Sequence, residues 1–348
     1  MKPSEKNKRQ EIQSANGFRA IAVFGVVMYH TCMPFSNYTI GYFLVTLFVF
    51  SGFFMSLHHP MTEPVTPRRW ARFMTHRLAR FVPLYWLSLA LIIIFGAWTW
   101  RWDLPLHFLL LQSYVPNLYV AYSYNGVAWF LSSLVFCYAL FPFIERWYQR
   151  YNTVTILLIL LLAVAAFDLI AAQFDIRTYK LLTHTFPPMH LVEFMFGMLI
   201  YKVYQSYPQK MGSGTASAIE LVVLIVVIIY VIVVTREMKH VLGFCWLIPA
   251  ALTTLCLAML QSSKGIVSRL LSIWPLQYVG KLSYEIYIFQ YLVITGTKKA
   301  IAWLHISWLD GTATRIIIII ASIILAQILH KYLTLPIYQW VKTHLLLL

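Results

Sequence analysis

Apolar residues fill ten long segments of this chain, and short polar stretches separate them. A helix needs about 20 apolar residues to cross a hydrocarbon core about 30 Å thick, with a tolerated range of about 17 to 25. The segments close to this length lie at 18–33, 40–57, 79–97, 127–145, 154–172, 187–206, 217–235, 243–261, 283–303 and 314–335. Another apolar piece, 104–112, is too short to span and is expected at the membrane interface. The pattern predicts an all-α, polytopic membrane helix bundle with about ten transmembrane helices.

An even number of spans places both termini on one side of the membrane, and the basic residues indicate which side this is. With ten spans, the terminal side holds 19 of the 27 Lys and Arg residues and the opposite side holds the other 8. Cytoplasmic loops carry an excess of Lys and Arg. The asymmetry predicts that both termini are cytoplasmic and that 1–16 forms a basic cytoplasmic segment.

Composition agrees with a membrane protein and argues against two other classes. Of the 348 residues, 60% are hydrophobic and 11% are charged, whereas soluble domains contain about 25% charged residues. The formal net charge of +15 comes from basic residues that flank the spans, and no basic run alternates with stacking aromatics as in a nucleic-acid module. The four cysteines are isolated, so neither a disulfide framework nor a metal site is expected. Because no soluble segment or repeat is evident, 1–348 is predicted to form one membrane domain.

The first span carries two ionisable residues, Arg19 and His30. A separation of eleven residues returns to within about 20° of the same helix face, with about 16 Å between them along the axis. An ionisable residue inside a span is a functional candidate because burying charge in lipid is costly. Two interpretations remain open: a functional pair, or an arginine that reaches the headgroups and a histidine that packs.

Arginines are concentrated where the third span begins, in RRWARFMTHRLARFVPLYW. Arg77 and Arg80 are three residues apart and share a helix face. The planar guanidinium group suits bidentate binding of phosphate, so this pair is a candidate for the phosphates of a nucleotide-bearing cofactor. The alternative is a topology signal that contacts anionic lipid.

Glu193 lies in the sixth span, within PPMHLVEFMFGMLIY, and His190 precedes it by three residues on the same face. Its predicted depth is about 9 Å below the outer end of the span, and that of His30 is about 6 Å. A hydrogen bond between Glu193 and His30 would give the carboxylate-oriented imidazole of a general base. A purely structural interhelical hydrogen bond is equally open.

Other polar residues have weaker signals. Asn125, Trp129 and Ser132 crowd the outer end of the fourth span, where they could line a sugar-sized cleft or belong to an interfacial aromatic belt. Asp168 and Glu285 lie near span ends and are expected to face interfacial water, with no role assigned.

Six sequence blocks together resemble, in order, the acyltransferase family 3 of integral membrane proteins, which includes bacterial surface-polysaccharide O-acetyltransferases. The blocks are NGFRAIAVFGVVMYH, LFVFSGFFM, HRLARFVPLYW, WFLSSLVFCYALFP, PPMHLVEFMFGML and YVGKLSYEIYIFQ. They place the family's arginine and histidine at Arg19 and His30, and its paired arginines at Arg77 and Arg80. The chain departs from the family at Asn16, where an aspartate is common, and at Gln290, where a histidine is common.

The resemblance implies an acyl-CoA donor, most often acetyl-CoA, and a carbohydrate hydroxyl on a lipid-linked or exported glycan as acceptor. The expected location is the bacterial cytoplasmic (inner) membrane, in contact with membrane lipid. By hypothesis, Arg77 and Arg80, with Arg19, hold the phosphates of coenzyme A, and His30 acts as general base with support from Glu193. Asn125, Trp129 and Ser132 are the candidate acceptor contacts. Direct transfer and a transient acyl-histidine both remain open.

Two other functions compete with this prediction. A transporter or flippase for a lipid-linked sugar would use buried charges as a substrate pathway, but neither a repeat of the two halves nor paired broken spans is evident. A non-catalytic subunit of a glycan-export complex would not require the arginine and histidine pattern. The oligomeric state and the acceptor sugar are not determined by the sequence.

Overall fold

The computed structural model describes residues 12–32, 36–61, 63–96, 101–206, 211–237, 244–260, 265–306 and 311–345. Across these ranges the chain is 85% helical and contains no strand, which confirms the all-α prediction. Most of the basic segment 1–16 lies outside the described residues, as do single positions at the ends of several predicted spans.

Sixteen α-helices follow one another along the described chain. They are α1 (Gln13–His30), α2 (Ser36–His58), α3 (Pro67–Phe95), α4 (Leu104–Phe108), α5 (Leu118–Ala121), α6 (Ala128–Arg150), α7 (Thr153–Ala171), α8 (Ile176–His184), α9 (Pro187–Ser206), α10 (Ser213–Glu237), α11 (Leu247–Leu260), α12 (Ile266–Leu271), α13 (Trp274–Lys281), α14 (Ser283–Trp303), α15 (Gly311–Leu329) and α16 (Leu335–Leu345). A 3₁₀ turn covers Gln112–Tyr114, and a π turn, His330–Thr334, joins α15 to α16.

A helix overlaps each of the ten predicted spans, but only six described helices have both the length and the apolar character needed to cross a bilayer. These are Thr39–His58, Pro67–Phe95, Ala128–Arg150, Thr153–Ala171, Ser213–Val234 and Gly311–Val341. Helices α1, α9 and α14 contain more polar residues, and α11 has only 14 residues. The piece 104–112 forms the five-residue α4 and the start of the 3₁₀ turn. Ten spans and cytoplasmic termini therefore remain predictions.

Helix α2 lies at the centre of the bundle and packs against α1, α9 and α11. Its crossing with α9 brings the two backbones together at a pair of glycines. A Cβ atom at Gly52 would overlap the Phe194 carbonyl oxygen, and one at Gly197 would overlap the Val49 carbonyl oxygen. Small residues allow such close approach between membrane helices. Because α2 packs on both neighbours, it lies between the helix that carries Arg19 and His30 and the helix that carries Glu193.

The segment between α3 and α6 folds over the end of the bundle as short helices held by side-chain hydrogen bonds. The Tyr85 hydroxyl donates to the His107 carbonyl (2.8 Å), and the Trp86 indole donates to the Phe108 carbonyl (3.0 Å). The bond to Phe108 satisfies a carbonyl group that the short α4 leaves without a helical partner, and the His107 carbonyl also accepts from the Leu110 N–H. The segment is thereby fixed against α3, next to the polar residues at the start of α6.

Candidate active site

Three arginines from two helices interact electrostatically with one tyrosine in the bundle. The guanidinium groups of Arg19 on α1 and of Arg77 and Arg80 on α3 all interact electrostatically with the hydroxyl of Tyr138 on α6. The guanidinium carbon of Arg77 lies 5.8 Å from the Tyr138 ring centroid, and that of Arg19 lies 4.9 Å from the Phe54 ring centroid. We call Arg19, Arg77, Arg80 and Tyr138 the arginine cluster. The structure thus brings together all three arginines that the sequence singled out.

The arginine cluster has the chemistry of an anion site. Arg19 and Arg77 are half-buried and Arg80 is exposed. Three positive charges near one hydroxyl make this region electropositive, which favours the binding of an anion. Each guanidinium group can also donate two parallel hydrogen bonds to one phosphate group.

His30 lies at the opposite end of α1 from Arg19, as the last residue of that helix. Its side chain is exposed, and its ring packs edge-on against Tyr29 with the ring centroids 5.1 Å apart. Within the described residues, no hydrogen bond or ion pair holds the imidazole. His30 is therefore an accessible base without a fixed orienting group.

Glu193 is fully buried, and its partner is His190 rather than His30. Its Oε2 atom lies 2.8 Å from His190 Nδ1, while the other oxygen, Oε1, has no hydrogen-bond partner among the described residues. The predicted direct hydrogen bond between Glu193 and His30 is therefore wrong. The reason is geometric: His190 lies one turn away on the same face of α9, whereas α2 packs between α9 and α1.

The His190 ring is fixed on both sides. Nε2 lies 3.0 Å from the His184 carbonyl oxygen, and the ring stacks on Phe48 with centroids 4.3 Å apart. A carbonyl oxygen can only accept, so Nε2 carries a hydrogen and donates it. One further proton is then shared between Nδ1 and the Glu193 carboxylate. Because both ring nitrogens are engaged, His190 cannot accept a proton from a substrate without losing one of these bonds.

Of the three candidate acceptor contacts, Trp129 makes a ring contact, whereas Ser132 and Asn125 are buried and hydrogen-bonded. Trp129 packs against His190, with ring centroids 5.3 Å apart. The Ser132 hydroxyl donates to the Leu110 carbonyl (2.6 Å), and Asn125 Nδ2 donates to the Ile288 carbonyl (2.9 Å). Both bonds are internal, so Ser132 and Asn125 brace the segment before α6. Their contact with an acceptor remains a prediction, and the Asn125 Oδ1 atom still lacks a partner.

Two further groups of polar side chains lie close together in the structure and were not predicted from the sequence. Arg101 donates to the buried Asp103 carboxylate (2.9 Å), and His107 Nε2 lies 4.0 Å from the same oxygen. Burial lowers the pKa of His107 to about 4 because desolvation penalises the imidazolium form. The second group is an imidazole–carboxylate pair between His330 and Glu285 (2.7 Å). The Glu285 side chain is 2% exposed, so the expectation that it faces interfacial water is wrong. Asp103 and His107 lie outside the predicted spans and had no local signal. His330 and Glu285 lie inside predicted spans, which was a signal for each residue, but their pairing across 45 residues had none.

The part of the chain that the structure describes contains no cluster of metal-ligating side chains. No group of three or more His, Cys, Asp or Glu side chains there could hold a metal ion. All four cysteines are free, and they lie on different elements.

The helical bundle, with several helices long and apolar enough to cross a bilayer, defines a multi-pass integral membrane protein. A family model described as an acyltransferase domain matches residues 12–331. The chain belongs to this family, and it is a membrane acyltransferase. The resemblance found in the sequence is thereby confirmed. Searches of curated proteins and of solved structures returned no match.

Proposed function

We propose that the protein is an O-acetyltransferase that transfers an acetyl group from acetyl-CoA to a carbohydrate hydroxyl on a lipid-linked or exported glycan. The whole chain, 1–348, acts as one domain in a bacterial cytoplasmic membrane, with both termini in the cytoplasm. The observation that carries the proposal is the arginine cluster inside an acyltransferase domain.

The donor end of the site is the arginine cluster. Coenzyme A is a cytosolic polyanion, and the charge asymmetry of the loops assigns the start of α3 to the cytoplasmic side. Arg77, Arg80 and Arg19 bind its phosphates through paired N–H groups. The pantetheine arm then extends along α1, on the helix face that Arg19 and His30 share.

The acceptor end of the site is at His30. The imidazole removes the proton from the sugar hydroxyl, and the hydroxyl oxygen attacks the thioester carbonyl carbon. The new carbon–oxygen bond replaces the carbon–sulfur bond, and the proton passes from His30 to the thiolate of coenzyme A. Proton removal by a placed side chain contributes about 10² to 10⁴-fold. An acyl-His30 intermediate is the alternative route to the same products.

Glu193 supports this chemistry from a distance. It holds His190 in place, and His190 in turn packs against Trp129. Trp129 thereby keeps a fixed position at the proposed acceptor end. Glu193 is a positioning residue in this mechanism, and its effect on rate is smaller than that of His30.

The test is transfer of labelled acetyl groups from acetyl-CoA to a glycan acceptor by the purified protein. Wild-type protein should transfer label, and His30→Ala should not. His344→Ala is the matched control because this exposed histidine lies on α16, beyond the family match. Loss of transfer in the control variant, or no transfer by wild-type protein to any glycan acceptor, would contradict the proposal.

A further inference from the structure

The described part of the chain contains three close imidazole–carboxylate pairs, and they differ in which ring nitrogens remain available. They are His190–Glu193, His107–Asp103 and His330–Glu285. His190 uses both nitrogens in internal bonds. The side chain of His107 is fully buried. His190 therefore has no ring nitrogen left for a ligand, and His107 is closed off from solvent.

His330 differs from the other two histidines because its ring is partly accessible. Its Nδ1 atom lies 2.7 Å from Glu285 Oε1, and 24% of its side chain is exposed. No described residue hydrogen-bonds its second nitrogen, Nε2. We call His330 and Glu285 the α14–π pair.

The backbone at His330 is unusual. His330 opens the five-residue π turn, and the Leu335 N–H donates to the His330 carbonyl, five residues back. A single π turn inside a helix shifts the side chains that follow it and is frequent at functional sites. The Thr334 hydroxyl in this turn and the Oε2 atom of Glu285 are both buried without a hydrogen-bond partner. Polar bonding capacity is therefore left over around the α14–π pair.

The α14–π pair is linked to helix α3, which carries Arg77 and Arg80. Tyr284 precedes Glu285, and its hydroxyl donates to the Phe81 carbonyl on α3 (2.6 Å), one residue after Arg80. Arg80 and Glu285 both interact electrostatically with this tyrosine. Helix α3 also packs against α14, the π turn and α16. The α14–π pair and Arg80 thus lie on elements that pack together around Tyr284.

Geometry decides which nitrogen of His330 can meet a ligand. The Glu285 side chain is 2% exposed, and its Oε1 atom occupies Nδ1 of the imidazole. Nε2 is therefore the ring nitrogen left for a ligand. Ionised phosphate oxygens accept hydrogen bonds, so Nε2–H is the group that His330 would present to them.

We propose that His330, held by Glu285, donates Nε2–H to a phosphate oxygen of the acyl-CoA donor and so extends the anion site of the arginine cluster. This inference rests on the proposed function because the ligand is the donor assigned there. His330 is a binding residue, and Glu285 is a positioning residue that acts through it.

The test compares two donors with the purified full-length protein. S-acetylpantetheine carries the thioester without the nucleotide phosphates of acetyl-CoA. In His330→Ala, the KM for acetyl-CoA should rise about tenfold or more, as expected for loss of a hydrogen bond between charged groups. The KM for S-acetylpantetheine and the kcat with either donor should stay within about twofold. Glu285→Gln should give a smaller rise in the KM for acetyl-CoA and no change in the KM for S-acetylpantetheine. His344→Ala should change neither KM.

Two results would overturn the inference: an unchanged KM for acetyl-CoA, or an equal change for both donors, which would indicate a structural role. If His330→Ala does not fold, His330→Gln replaces it in the comparison of acetyl-CoA with S-acetylpantetheine. Because glutamine retains an N–H group that can donate a hydrogen bond, the expected rise in the KM for acetyl-CoA is smaller. The parallel variant Arg77→Ala separates this inference from the proposed function. An unchanged KM for acetyl-CoA in both Arg77→Ala and His330→Ala would reject the donor site itself, whereas a change in Arg77→Ala alone would reject only the role of His330.

Discussion

The arginine cluster and the Glu193–His190 pair both place ionisable groups inside the helical bundle, but they differ in how their bonding capacity is used. Three like charges from α1 and α3 interact electrostatically with one hydroxyl, and their residues are half-buried or exposed. Glu193 and His190 instead neutralise each other, and the remaining imidazole nitrogen is bonded to a backbone carbonyl. The arginine cluster therefore has the charge that favours an anion, whereas the Glu193–His190 pair uses its hydrogen-bonding groups within the protein.

The difference shows that a buried ionisable residue is not by itself evidence of catalysis. Burying an unpaired charge is costly, so many buried ionisable residues pair with one another and have a purely structural role. Exposure of the residue is the more useful criterion. By that criterion, the half-buried and exposed arginines and the exposed His30 are functional candidates, whereas we propose that Glu193 acts through its neighbours.

The largest expected effect is that of His30. His30→Ala and His30→Gln should lower transfer by at least about a hundredfold because proton removal by a placed base is lost. Membrane insertion and expression should stay near normal because the residue is exposed at the end of α1. Acetyl transfer by equal amounts of purified protein measures this. Wild-type rates in His30→Ala would remove the general-base role.

A smaller effect is expected for single arginine variants of the cluster. Arg77→Ala should raise the KM for acetyl-CoA about tenfold with little change in kcat, because phosphate contacts are made equally in the ground and transition states. Arg77→Lys should restore binding only in part because lysine lacks the planar fork. Steady-state kinetics at varied acetyl-CoA concentration distinguish these outcomes. A fall in kcat at constant KM would place Arg77 at the chemistry instead.

Variants of the Glu193–His190 pair should lower turnover less than His30 variants do. In Glu193→Gln, the amide can donate to His190 Nδ1 while Nε2 still donates to the His184 carbonyl. The ring therefore stays in place, and we expect a loss of about tenfold or less in kcat, with the KM for acetyl-CoA unchanged. His190→Gln should resemble it. A loss in Glu193→Gln as large as that in His30→Ala would show that Glu193 acts directly on the reaction.

The smallest effect is expected for Tyr138→Phe. This change removes the hydroxyl at the centre of the arginine cluster but keeps the ring that Arg77 packs against. The phosphate contacts of the arginines remain, so the KM for acetyl-CoA should change by less than about threefold. A tenfold rise in KM would assign the hydroxyl its own contact with the donor.

The sequence predicted which residues form the site better than it predicted which residues contact them. The three-residue spacing of Arg77 and Arg80 places both guanidinium groups on one helix face, and the structure directs that face toward Arg19. Tyr138 could not be singled out among 22 tyrosines. The partner of Glu193 depended on which helix packs between α1 and α9, and helix periodicity alone does not determine that.

Helix positions were predicted more reliably than the number of spans. Each predicted segment contains a helix, yet α1, α9 and α14 lack the long, strongly apolar stretch that each of the six membrane-length helices contains. These three helices carry Arg19, Glu193 and Glu285. The polar residues that make them candidates for function also lower the hydropathy by which a span is recognised.

The most direct measurement of the central claim is equilibrium binding of labelled acetyl-CoA to the purified protein. The double variant Arg77→Ala/Arg80→Ala should weaken binding about a hundredfold. The matched control Arg146→Ala/Arg150→Ala removes two arginines from α6 and should bind like wild-type protein. Equal affinities for wild-type protein and the Arg77→Ala/Arg80→Ala variant, with melting temperatures also equal, would contradict the account and leave the arginines as determinants of topology.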